Sequence, residues 1–71
     1  MNAANKERDK IITLFKMIRI QENWTLRQSA KYLDIDHSFL LKVEQKEKKP
    51  SQELLQKMAY LVTTRSNQLK V

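Results

Sequence analysis

The chain has 71 residues, 14 Lys and Arg against eight Asp and Glu, and a formal net charge of +6, which bounds it to one small domain with a large positive surplus. The absence of cysteine excludes a disulfide framework and a thiolate metal site, and the absence of glycine excludes the phosphate-cradling loops of nucleotide-binding proteins. The surplus favours an anionic partner, nucleic acid first and an acidic membrane surface second.

The opening "MNAANKERDK" is polar and reads as a flexible lead over residues 1–9, without the apolar core of a signal segment. Apolar runs elsewhere span only a few residues, so a membrane span is not expected and a cytoplasmic protein is. From Ile11 the apolar residues Ile11, Leu14, Phe15 and Ile18 fall at helical spacing with one stripe to bury. This first helix should close near Glu22 or Asn23, because Asn tolerates the left-handed conformation that ends a helix.

"TLRQ" then fits a capping box, with Thr25 and Gln28 bonding each other's backbone at the start of a second helix. Ala30 and Leu33 belong to its inner side. Asp34 ends it, and Asp36 two residues later is a good N-cap for a third helix, "HSFLLKVEQ". The break "DID" therefore stops one helix and starts the next, with Ile35 plugging the corner. Leu40 and Val43 should point inward and Phe39 lie at the edge. The turn of about three residues is that of a helix-turn-helix.

A basic loop, "KEKKPS", follows. Ser51 can cap a fourth helix whose first turn holds Glu53, where a carboxylate suits the helix dipole. Leu54, Leu55, Met58, Leu61 and Val62 form its inner face, and "TTRSNQLKV" could add a short fifth turn. The expectation is an all-α domain of four or five helices occupying residues 10–71.

The ordered set "TLRQSAKYLDIDHSFLLKVEQKEKKPSQELLQKMAYL", with Arg19 upstream, resembles the DNA-binding domain of the phage Cro/repressor (XRE) family, over roughly residues 10–62. The resemblance implies a compact lambda-repressor-like fold and a regulator that binds double-stranded DNA. Glycine is usual in that family where Asp34 and Lys46 stand, a polar Gln where Leu26 stands, and leucine where Ser29 stands.

In such a motif the third helix enters the major groove, its N-terminal residues against base edges. His37, Ser38 and Lys42 are then the candidates for base contacts, with Leu41 against a thymine methyl. Phosphate contacts fall to Thr25 and Arg27 on one side of that helix and to Gln45, Lys46, Lys48 and Lys49 on the other. The resemblance further implies a partly buried structural ion pair between Arg19 and Glu44. Trp24 reads as a lid on the core rather than a base-stacking residue.

One recognition helix reads few base pairs, so a homodimer on DNA is expected, with Tyr60, Leu61, Leu69 and Val71 as interface candidates. The function expected is that of a repressor or operon controller. The alternative is an antitoxin-type interaction module that neutralises a protein partner and autoregulates its operon. An enzyme is not expected, since one histidine and no paired carboxylates offer little for catalysis. No cofactor or metal is expected either.

Overall fold

The computed structural model describes the backbone of residues 3–69 and the side chains of residues 6–65. Among the described residues there are four helices and no strand: α1 (Ala3–Gln21), α2 (Leu26–Leu33), α3 (His37–Glu44) and α4 (Gln52–Leu69). The two long helices, α1 and α4, pack on each other, and the short pair α2 and α3 folds against them. One core results, from Ile12, Phe15 and Ile18 of α1, Ala30 and Leu33 of α2, Leu40 and Val43 of α3, and Leu54, Met58, Leu61 and Val62 of α4. Ile11, Leu14, Trp24, Leu26, Ile35, Phe39 and Leu55 seal its margin. The small side chain of Ala30, 2% exposed, lets a neighbouring helix come close.

Two boundaries differ from expectation. Residues 3–9, expected within a flexible lead, are the opening turns of α1. The segment has no apolar stripe to announce it, but Ala, Lys, Glu and Arg are strong helix formers that extend a helix already nucleated by its packed half. At the other end no separate fifth turn forms before Leu69, because α4 runs through Thr63 and Thr64. The Thr64 hydroxyl donates to the Tyr60 carbonyl at 2.9 Å, bonding back to the helix instead of breaking it.

The helix ends explain how a chain without glycine turns three times. Asn23, Asp34 and Lys46 stand at φ 60°, 60° and 64°, the left-handed region. Around each, two amides reach back to the helix just ended. The Asn23 amide donates to the Ile20 carbonyl at 3.1 Å and the Trp24 amide to Arg19 at 2.8 Å. The Asp34 amide donates to Lys31 and the Ile35 amide to Ala30, at 3.1 and 2.9 Å. The Lys46 amide donates to Val43 and the Glu47 amide to Lys42, at 3.0 and 2.8 Å. These are Schellman closures, which satisfy the last carbonyls of each helix. A side chain with a Cβ sits there at a cost of roughly 1 kcal/mol.

Starts are capped as firmly. The Gln28 amide donates to Thr25 Oγ1 and the Thr25 amide to Gln28 Oε1, both at 3.0 Å, which completes the capping box of α2. The Ser38 amide donates to Asp36 Oδ2 at 2.9 Å, and the Leu54 amide to Ser51 Oγ at 3.1 Å.

Candidate nucleic-acid interface

The α2–α3 corner determines what faces outward. Leu40 and Val43 are fully buried, so the opposite side of α3 must carry Ser38, Leu41, Lys42 and Gln45, and all four are exposed. His37, at the first position, is half-buried. Asp36 begins the helix with its carboxylate held below the ordinary 3.8, first by the Ser38 amide that donates to it. The cap therefore stays ionised, and it consumes the amide that an anion would otherwise take.

On one flank, Thr25 and Arg27 are exposed at the N-terminus of α2. The capping box uses the Thr25 hydroxyl and the Gln28 amide. The amides of Leu26 and Arg27, first in the helix, have no intrahelical acceptor and can meet a phosphate. Leu26 itself folds inward against the core. On the other flank the loop after α3 exposes Lys46, Lys48 and Lys49. The Lys46 ammonium already donates to Thr13 Oγ1 on α1 at 3.0 Å, leaving it two donors.

That loop lies against the beginning of α1. A shallow hollow of about 130 Å³ is lined by Arg8, Asp9 and Ile12 together with Lys46, Glu47, Lys48 and Lys49. Arg8 thus joins the basic loop, with Asp9 Oδ1 accepting from its Nε at 3.4 Å. Sequence reasoning missed Arg8 because it assigned residues 1–9 to a flexible lead; the run of strong helix formers there was the available signal.

Arg19 and Glu44 fix α3 to α1. Arg19 Nε donates to Glu44 Oε2 at 2.8 Å and Nη2 to Oε1 at 2.9 Å, a two-pronged pair in which the Glu44 side chain is 1% exposed. The third prong, Nη1, donates to the Trp24 carbonyl at 3.1 Å. Each of the three Arg19 nitrogens thus has an acceptor, which compensates the burial of the charge. Trp24 lies on the core margin, its ring 6.5 Å from Tyr32, in the role of lid.

The residues expected at a dimer surface separate. Tyr60 is 70% exposed, at the rim of an open groove between α2 and α4 that Tyr32, Glu53, Gln56 and Lys57 also line. Leu61 is 6% exposed and belongs to the core, because α4 turns it toward α1. It is not available to a partner. The Leu69 side chain and Val71 lie outside the described residues.

Among the described residues no cluster of His, Cys, Asp or Glu could hold a metal ion, and no helix is long and apolar enough to cross a membrane. A helix-turn-helix family model matches residues 15–59, from the middle of α1 into α4 and across the whole α2–α3 corner. No curated protein and no solved structure matches. That family is one of DNA-binding regulators rather than of enzymes. By the matched span and by the helix pair it covers, the chain belongs to the XRE-type helix-turn-helix family of DNA-binding regulators.

Proposed function

We propose that this regulator is sequence-specific, reads the major groove of double-stranded DNA with α3, and acts as a repressor or operon controller in the cytoplasm. The observation that supports this reading is the outward face of α3, with Ser38, Leu41 and Lys42 exposed, together with the exposed Thr25 and Arg27 on one flank and Lys46, Lys48 and Lys49 on the other. Ser38 and Lys42 contact bases, His37 reaches an edge from its half-buried position, and Leu41 meets a thymine methyl. Thr25 and Arg27 on one side, and Gln45, Lys46, Lys48 and Lys49 on the other, hold the phosphates, with Arg8 added to the second group. Two copies bind a two-fold site, since one α3 covers too few base pairs for useful selectivity.

The test is fluorescence anisotropy on the DNA upstream of its own gene and on a scrambled duplex, across a salt series. Tighter binding to the native fragment, with log K falling against log salt at a slope of about −5 for five or six phosphates, is the expected outcome. Equal weak binding to both duplexes would leave only a basic surface, and the antitoxin reading, with a protein partner, would take its place.

A further inference from the structure

Trp24 stands between two arginines. Its carbonyl accepts from Arg19 Nη1 at 3.1 Å, while its ring faces Arg65 of α4, whose guanidinium carbon lies 5.3 Å from the ring centroid. Arg65 also pairs with Glu22, with 3.1 Å between Nη1 and Oε1. Arg19 passes the connection on, through its remaining donors, to Glu44 at the end of α3. One unbroken line of contacts therefore runs from α4, through the corner between α1 and α2, to the helix that faces DNA.

The corner needs such a hold. Asn23, directly before Trp24, occupies the left-handed region without being glycine, and Trp24 is half-buried. The Arg19 fork is planar, so two bonds to Glu44 set its distance and the third, to the Trp24 carbonyl, sets its rotation. A shift of that carbonyl turns the fork and with it the carboxylate of Glu44. The Arg65–Glu22 contact is about one-third exposed, at 33% and 39%, so solvent screens it and its own contribution to stability is small. Its effect lies in geometry.

Resting on the DNA-reading surface proposed above, we infer that Arg65 is a positioning residue for that surface. By clamping Trp24 it fixes the carbonyl that orients Arg19, and so the angle at which α3 meets the groove, without touching DNA itself.

Two readouts on Arg65→Ala and Arg65→Lys test this. The first is hydrogen exchange of the Arg19 Nε–H by NMR in the free protein. The second is the anisotropy titration on the upstream and scrambled duplexes across salt. In Arg65→Ala the Arg19 Nε–H should exchange ~2- to 5-fold faster, the scale of one cation–π contact. Affinity for the upstream duplex should fall by a similar factor, with scrambled binding and salt slope unchanged, and Arg65→Lys should restore part of both. A general structural defect would lower stability without changing the ratio between the duplexes.

Unchanged Arg19 exchange in Arg65→Ala overturns the inference whatever the DNA shows. Faster exchange with unchanged specific affinity also overturns it. So does an equal loss on both duplexes with a slope shallower by about one, which would make Arg65 a phosphate contact. Should Arg65→Ala not fold, Glu22→Gln loosens the same guanidinium and must move Arg19 exchange in the same direction. A wild type that binds both duplexes alike defeats the DNA-reading surface before any variant is made, so the two failures are told apart.

Discussion

At Ser29 the core encloses a hydroxyl, 1% exposed, whose oxygen has no hydrogen-bond partner. An unsatisfied buried polar group costs about 1–3 kcal/mol, and alanine fills nearly the same volume with better helix propensity. Ser29→Ala should therefore raise stability by about 1 kcal/mol in a urea titration; no gain would mean the hydroxyl has found a partner. Arg19 is the opposite case. Arg19→Ala strands the Glu44 carboxylate in the core and should cost ~3 kcal/mol. Arg19→Lys should recover little, because a single ammonium cannot reproduce three donors in one plane. Thermal melts of the two variants side by side check this. The ion-pair partners could be named from the resemblance. The unpaired Ser29 oxygen could not, since whether a buried hydroxyl finds an acceptor depends on atoms from other helices.

Among the elements, the three helix ends carry a strain that glycine would relieve. Asp34→Gly should stabilise by roughly 1 kcal/mol, less the entropy glycine adds to the unfolded chain. A chemical denaturation midpoint that moves down instead would show that the Asp34 side chain contributes more than its backbone costs. The start of α3 responds to pH. A carboxyl whose folded pKa is lowered, as at Asp36, contributes stability above its ordinary 3.8 and loses it as the pH falls through the lower folded value. The advantage of wild type over Asp36→Asn should thus be present at neutral pH and vanish in acid, in melts taken down the pH scale. An advantage persisting unchanged into acid would refute that assignment. Caps and closures were legible because each is a local arrangement of a few residues. The reach of α1 back to Ala3 was not, since propensity without an apolar stripe is a weak signal. The continuation of α4 past Thr63 was hidden because a β-branched pair looks like a break until the Thr64 hydroxyl bonds back.

For the whole molecule, the proposed roles of α3 and its flanks divide the binding energy into parts that salt can separate. Lys49→Ala should weaken binding to native and scrambled duplexes alike and flatten the salt slope by about one. Lys42→Ala should instead weaken the native fragment more than the scrambled one. Identical slopes for wild type and Lys49→Ala would remove the loop from the phosphate surface. The helix-turn-helix that presents α3 could be anticipated from the order of the motifs along the chain. The contacts of Arg65 could not, because it stands 41 positions from Trp24 and nothing in either local sequence refers to the other.

Trp24 has a consequence of an optical kind. It is the chain's single tryptophan, set on the core margin where α1, α2 and α4 meet, with a cation over its face and Tyr32 close enough to pass excitation to it. Its emission therefore comes from one known place, free of overlapping indoles. Loosening of the corner withdraws the cation and wets the ring, changing intensity and colour. The protein carries its own unlabelled gauge of the junction behind α3.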